Sequence, residues 1–184
     1  MKKKKIAVLV GSLRKGAFSR SVANCVIGLA PDAFDMHIVE IADLPIYNQD
    51  YDAMEIDVYT KFRETIKASD AILIVTAEHN RSMPAVLKNA LDVGSRPYGK
   101  SAWAGKPGAI ISQSFGALGG FGANHHLRQV ASYLDIRMMN QPECYLGEVM
   151  NSMDEKGTIT SETTIAFLQK VMDAYEKWVT QSLD

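Results

Sequence analysis

The stretch that decides the fold is VLVGSLRKGAFSRSVAN, residues 8–24, where an apolar run passes through a polar turn into an amphipathic pattern. The apolar run Ile6–Val10 predicts a buried strand, and apolar residues at helical spacing predict a helix from about Ser19 to Pro31. A turn that leaves a strand and enters a helix offers free backbone N–H groups at the positive end of the helix dipole. The segment therefore predicts a strand–turn–helix unit whose turn binds an anion.

The same alternation of strand and helix continues along the chain. Four more apolar runs predict strands at residues 36–41, 71–76, 108–114 and 136–139, each followed by a helical pattern. Alternation of this kind is typical of a parallel sheet with crossover helices. We therefore expect an α/β fold, a flavodoxin-like doubly wound five-stranded parallel sheet of order 2-1-3-4-5, in one domain over residues 1–184.

The composition makes several partners and sites unexpected. The 20 basic and 21 acidic residues give a formal net charge of -1, so neither nucleic acid nor a membrane surface is an expected partner. The lysine-rich start precedes an apolar run too short for a secretory signal or a membrane span, which favours a cytoplasmic protein. Cys25 and Cys144 lie far apart and outside any CxxC spacing, so we expect free thiols and no metal site.

Three loops of unusual composition follow strands one, three and four, whose carboxyl ends lie together in the expected strand order. The first loop has residues suited to a phosphate, and its candidates are Gly11, Ser12, Arg14, Ser19 and Ser21. Serines that only cap the helix are the alternative, but a cap requires one serine and does not explain the arginine. Ala17 and Phe18 stand where a Walker loop has Lys and Ser or Thr, and Leu13 stands where a Rossmann fingerprint has glycine.

The second and third loops have the composition of a site for a flat polar ring. The second loop carries a dense polar run, with Glu78, His79, Asn80, Arg81 and Ser82 in succession. The third loop, SQSFGALGGFGAN, contains four glycines within eight residues, which allow backbone amides to approach a flat ligand closely. Surface polarity in the second loop and simple flexibility in the third are the alternatives. A phosphate at one end and a planar heterocycle at the other match the shape of FMN.

Several segments together carry a family resemblance. GSLRKGAFSR, AEHNRSMPAVLKNALD, AGKP and SFGALGG resemble the NADPH-dependent FMN reductase family, and within it the bacterial quinone, chromate and azo-dye reductases. The resemblance implies bound FMN, NADPH or NADH as co-substrate, and a small-molecule electron acceptor. It implies ping-pong hydride transfer to quinones and, less specifically, to chromate, azo dyes or free flavin. It also implies a homodimer or homotetramer whose flavin sites lie near a subunit interface.

The resemblance also assigns site residues by position. The phosphate loop receives Ser12, Arg14 and Ser19, the flavin-edge loop Ala77, Glu78, His79, Asn80 and Arg81, and the glycine-rich loop Ser114, Phe115 and Gly116. Several positions depart from the family pattern. Ala17 and Ser19 replace a serine and an asparagine, Ala77 and His79 replace a proline and a tyrosine, and Val93 replaces a tryptophan. Ser21 is expected to substitute for the missing phosphate donor.

The expected redox chemistry belongs to the cofactor, so no catalytic side chain is predicted. Arg81 and Arg96 are predicted to bind substrate at the open face of the flavin, with Arg96 reaching the flavin of a partner subunit. Tyr98 and Trp103 lie in a loop beside the site and are predicted to be interface aromatics.

Two other classes of function remain open on the sequence. A one-electron carrier of the flavodoxin kind fits the fold, but such carriers typically dock through a strongly acidic face, which a net charge of -1 does not indicate. A nucleotide-binding module that has lost catalysis is the other class, and the altered positions Ala17 and His79 favour it. Direct reduction by NADPH distinguishes an enzyme from a carrier.

Overall fold

The computed structural model describes residues 2–184 and contains a parallel sheet with helices on both faces. The strands are β1 (Lys4–Gly11), β2 (Phe34–Val39), β3 (Ala71–Thr76), β4 (Pro107–Gln113), β5 (Arg137–Met138) and β6 (Cys144–Leu146). The helices are α1 (Phe18–Gly28), α2 (Asp57–Lys67), α3 (Ala85–Gly94), α4 (Phe121–Tyr133) and α5 (Glu162–Leu183). Short 3-10 turns occur at Gln49–Tyr51 and Val149–Ser152. The strand order β2-β1-β3-β4-β5 confirms the flavodoxin-like prediction.

The central strands are mostly apolar because helices cover both of their faces. All six residues of β3 are buried between two clusters of apolar side chains. One cluster joins the sheet to α1 and α5, and the other joins it to α2, α3 and α4. This two-sided burial fixes the carboxyl ends of β1, β3 and β4 side by side, which is where the three unusual loops begin.

The edge of the sheet beside β4 differs from the prediction of one strand at residues 136–139. There β5 pairs with Pro107 and Gly108, whereas the separate strand β6 pairs with residues 111–113. The segment between β5 and β6 contains Pro142, which has no N–H group to donate to a strand ladder. The sequence therefore predicted β5, which forms the first half of this edge, but did not predict β6, which forms the second half.

The segment after α3 corrects a second prediction. Trp103 was expected at an exposed interface, but it is completely buried and its indole N–H donates to the Leu91 carbonyl at 2.9 Å. A side chain at Gly94 would collide with the Trp103 ring, since a Cβ there would lie 2.5 Å from ring atoms. Trp103 thus fastens this segment to α3, whereas the neighbouring Tyr98 is 87% exposed.

Two further properties concern the described part of the chain. No helix within residues 2–184 is long and apolar enough to cross a membrane. The same residues contain no group of three or more His, Cys, Asp or Glu side chains arranged to hold a metal ion.

Candidate active site

The three loops at the carboxyl edge of the sheet surround one cleft of about 610 Å³. Its volume lies in the range of small-molecule and cofactor sites. Among the predicted residues, those that line the cleft are Ser12, Arg14, Ser19, Ala77, Glu78, His79, Ser114 and Phe115. The structure adds residues that the sequence prediction did not name as site residues: Leu13, Ala17, Phe18, Pro84, Ala85, Val86 and Gln113. The cleft therefore unites the loops after β1, β3 and β4.

One end of the cleft is the start of helix α1. No side chain of residues 2–184 caps this helix, whose N-cap position is occupied by Ala17. The amides of Arg20 and Ser21 bond to the Ala17 carbonyl at 2.9 and 3.2 Å, so the preceding helical amides are left for another acceptor. These amides and the helix dipole favour an anion at this position.

Arg14 lies in the same loop and adds a positive charge to the helix start. Its Cζ lies 5.0 Å from the centre of the Phe18 ring, and its Nη2 donates to the Gly16 carbonyl at 3.0 Å. The backbone amide of Arg14 donates a hydrogen bond to Ser12 Oγ at 3.3 Å, which stabilises the turn of the loop between these two residues. The guanidinium is therefore held beside the uncapped helix start, where a phosphate group would benefit from both.

Two buried polar atoms in the cleft wall have no hydrogen-bond partner among residues 2–184. They are Ser19 Oγ, on a side chain that is completely buried, and Gln113 Oε1, at the end of β4. Buried polar groups in proteins are normally hydrogen-bonded, so an unpaired one in a cleft wall is a candidate to bind a ligand. The residues present thus fit a ligand with an anionic end and further polar groups, as FMN has.

The loop after β3 forms a tight two-residue turn. His79 and Ser82 exchange two backbone hydrogen bonds of 2.9 Å, and the turn residues Asn80 and Arg81 have φ values of 50° and 65°. Because the turn reverses the chain, Asn80 and Arg81 form its tip and do not line the cleft. His79 lines both the cleft and a neighbouring groove of about 590 Å³.

The carboxylate of Glu78 is engaged by the protein itself. Its Oε2 accepts the backbone N–H of Ala123 at 3.1 Å, in the first turn of α4, and its Oε1 lies 3.5 Å from Arg81 Nη1. The side chain is only 12% exposed, whereas that of Arg81 is 74% exposed. Glu78 therefore joins the loop after β3 to the start of α4, which the sequence did not indicate.

The glycine-rich loop folds partly onto itself. Ser114 Oγ donates to the Gly116 carbonyl at 2.7 Å, and the same carbonyl accepts the Glu148 amide at 3.1 Å. Gly116 lies next to the cleft without lining it, while Phe115 lines the cleft and is 79% exposed. The loop thus presents an aromatic side chain at the mouth of the cleft.

Three other predicted residues lie outside the cleft lining. Gly11 ends β1 against Thr76, where a Cβ would approach Thr76 Oγ1 to 2.5 Å. Ser21 faces away, since a Cβ at Gly157 would lie 3.3 Å from its hydroxyl oxygen.

Arg96 is the third of these residues. Its Nη1 lies 3.7 Å from Asp52 Oδ2 and its Cζ lies 5.6 Å from the Tyr47 ring centre. It borders a groove of about 680 Å³ beside α3 and α4. The structure therefore does not bring Arg81 and Arg96 to one site within one chain.

A flavodoxin-like sheet with an uncapped helix start and a cleft at its carboxyl edge defines the class of doubly wound α/β proteins that bind ligands at this edge. Within that class, the chain belongs to the NADPH-dependent FMN reductase family, whose model matches residues 4–151. A quinone reductase of Pseudomonas putida is 51% identical over 175 residues, which cover 95% of this chain and 94% of that protein. A 2-hydroxy-1,4-benzoquinone reductase of a Burkholderia species is also 51% identical, over 95% of this chain and 96% of that protein.

A solved structure shows the same architecture. The flavoenzyme NAD(P)H:(acceptor) oxidoreductase FerB of Paracoccus denitrificans matches with a TM-score of 0.91 and 36% sequence identity, over 97% of this chain and 98% of that one. These findings confirm the family resemblance that the sequence motifs carried.

Proposed function

We propose that the protein is an NAD(P)H-dependent, FMN-containing oxidoreductase that reduces quinones. The observation that carries this proposal is the cleft at the carboxyl edge of the sheet. The uncapped start of α1 and the unpaired Ser19 hydroxyl lie in this cleft, and together they favour an anionic ligand. Two relatives at 51% identity bear names of quinone reductases, which supports a quinone as the acceptor. A one-electron carrier is not favoured, because the formal net charge of -1 indicates no acidic docking face.

Each loop has a distinct role in holding FMN. Ser12, Arg14, Ser19 and the free amides of α1 would hold the phosphate, while His79 and Phe115 would border the flavin ring. FMN supplies the transfer of hydride from NAD(P)H to the acceptor when it is bound. The side chains would position that group, and Glu78 keeps the surrounding loops in place through Ala123.

We further propose that Arg81 and Arg96 act on charged substrates. Arg81 stands at the tip of the turn after β3 with its guanidinium exposed, and Arg96 borders a separate groove. Replacing either with Ala should lower kcat/KM for NADPH or for an anionic acceptor such as chromate more than for a neutral quinone, while FMN stays bound. An equal decrease in kcat/KM for charged and neutral substrates would contradict a role in binding the substrate's charge.

We propose that two chains pair along the groove beside α3 and α4, as a homodimer or as half of a homotetramer. Tyr98 and Tyr133 border this groove and are each 87% exposed, and exposed aromatic residues of this kind favour an interface. Pairing there would bring Arg96 of one chain toward its partner. Light scattering should report at least twice the mass of one chain, and Tyr133→Glu should shift it toward the monomer. A native protein with the mass of one chain would refute the pairing.

Three further assignments complete the proposal. We assign residues 1–184 to one FMN-binding domain, and we place it in the cytoplasm, in keeping with the free thiols of Cys25 and Cys144. Chromate, azo dyes and free flavin are proposed as less specific acceptors. Fractionation of cells and acceptor assays against a benzoquinone test these assignments directly.

The function is tested with the purified protein. It should show flavin absorption bands that bleach on anaerobic addition of NADPH and return on addition of a benzoquinone, and mass spectrometry of the released cofactor should identify FMN. Arg14→Ala should weaken FMN binding by about tenfold or more, the scale of a hydrogen bond to a charged group. Riboflavin, which lacks the phosphate, is the matched control and should bind the variant and the native protein equally. Absence of bleaching, or FAD as the released cofactor, would overturn the proposal.

A further inference from the structure

Gln113 is the cleft residue that the sequence motifs did not identify. It ends strand β4, where Ala109 and Ile111 precede it on the same face of the strand. Those two residues belong to the apolar cluster that joins the sheet to α1 and α5. Gln113 therefore continues an apolar row, but with a carboxamide in place of a hydrocarbon side chain.

The position of the Gln113 backbone is fixed on two sides. Gln113 pairs with Leu146 in β6, and Gly120 presses against it with a positive φ of 76°. A Cβ at Gly120 would lie 3.1 Å from the Gln113 carbonyl oxygen. Because the backbone at this strand end is constrained, the direction in which the Gln113 side chain leaves it is fixed before a ligand binds.

The preceding residue of the strand gives a contrast. Ser112 is also buried, but its hydroxyl donates to the Cys144 carbonyl at 3.3 Å and accepts from Asn124 Nδ2 at 3.2 Å. Gln113 points to the opposite face, where its Oε1 has no donor among residues 2–184. The Ser112 hydroxyl is therefore hydrogen-bonded within the described part of the chain, whereas the Gln113 side-chain carbonyl oxygen in the cleft wall is not.

The chemistry of FMN limits which of its groups can pair with this oxygen. The phosphate at the α1 end offers acceptors, so it cannot donate to Oε1, and the ring carries one N–H group at its edge. The ribityl chain, attached directly to the phosphate, carries several hydroxyl donors. Gln113 lies on the sheet face that packs against α1, the helix that carries Ser19, and both residues line the same cleft. The group nearest the phosphate is therefore the expected partner.

We propose that Gln113 is a specificity-determining residue whose side-chain carbonyl accepts a hydrogen bond from a ribityl hydroxyl of FMN. This inference rests on the proposed function, since it requires FMN in the cleft. It identifies how the site distinguishes a ribityl flavin from a flavin phosphate with a plain hydrocarbon linker.

The test combines changes in the protein and in the ligand. Apoprotein is titrated, with flavin fluorescence as the readout, with FMN and with a flavin phosphate whose linker lacks hydroxyl groups. Gln113→Met preserves the side-chain length without the acceptor. Gln113→Leu is measured in parallel so that the result does not depend on the folding of one variant. Gln181→Met, at an exposed position of α5, is the matched control.

Both Gln113 variants should bind FMN about fivefold or more weakly than the native protein, because a buried donor loses its partner. The loss should disappear with the hydroxyl-free ligand, as expected when both changes remove the same contact. Gln181→Met should bind both ligands like the native protein. An unchanged FMN affinity in the Gln113 variants, or an equal loss with both ligands, would overturn the inference while leaving FMN binding intact. Failure of the native protein to bind FMN would instead overturn the proposed function.

Discussion

Replacing Ser19 with alanine should change stability and cofactor affinity in opposite directions. The Ser19 side chain is completely buried and its hydroxyl has no partner among residues 2–184. An unpaired buried polar group costs about 1–3 kcal/mol, so its removal should stabilise the protein without cofactor by at least about 1 kcal/mol. For a chain of this length, that corresponds to a rise in Tm of about 2–4 °C.

The cofactor complex should respond with the reverse sign. If Ser19 donates to the phosphate at the start of α1, the lost bond is one to a charged acceptor, which contributes about 1.5–3 kcal/mol. The dissociation constant for FMN should therefore rise about 10- to 150-fold. Riboflavin should bind the variant and the native protein alike, because it lacks the phosphate.

The assay is thermal unfolding of the deflavinated protein together with fluorescence titration of FMN. Ser21→Ala is the matched control, since Ser21 lies two positions along the same helix but outside the cleft. It should leave FMN affinity unchanged. A Ser19→Ala variant that is less stable without cofactor, or that binds FMN normally, would refute the reasoning that its hydroxyl is reserved for the ligand.

Three other predictions concern contacts around the site. Glu78→Ala should lower the free energy of unfolding by about 1.5–3 kcal/mol in urea titrations, because the Ala123 amide loses a charged acceptor. Glu78→Gln should lower it less, and equal decreases in the two variants would contradict a role for the charge. Asn89→Ala should release residues 44–47, which its side chain holds by three hydrogen bonds, and limited proteolysis should then cut there; an unchanged digest would count against this. Burial raises the pKa of the Cys144 thiol to about 12, so a thiol reagent at pH 8 should modify Cys144 only after unfolding, and modification of the native protein would contradict this burial.

The sheet could be predicted from the sequence where strands are covered on both faces. The predicted strand at 71–76 coincides with β3, because burial on both faces makes residues 71–75 a continuous apolar run. Strand β2, at the sheet edge, begins two residues before the predicted start at residue 36, since Phe34 packs in the core against Tyr175. Strand β6 was missed because its three residues, Cys144–Leu146, are too few to show a strand pattern.

The location of the site could be predicted, but the direction of its side chains could not. Strand order alone places the three loops at one edge, and the cleft is there. Whether a serine on α1 faces the cleft depends on the rotation of the helix, and this separates Ser19 from Ser21. Gln113 could have been recognised as a glutamine in an otherwise apolar strand row, a signal that requires the strand faces to be known.

The turn after β3 shows how local geometry sorts adjacent polar residues into different roles. Its two-residue reversal leaves His79 facing the cleft and carries Asn80 and Arg81 beyond it. Arg81 adopts a left-handed backbone conformation, with φ of 65°, that is uncommon for a residue with a long side chain. Such conformations persist where surrounding contacts enforce them, and here the two hydrogen bonds between His79 and Ser82 do so. The outcome is an exposed guanidinium at the tip of a rigid turn, which supports the proposal that Arg81 binds a charged substrate.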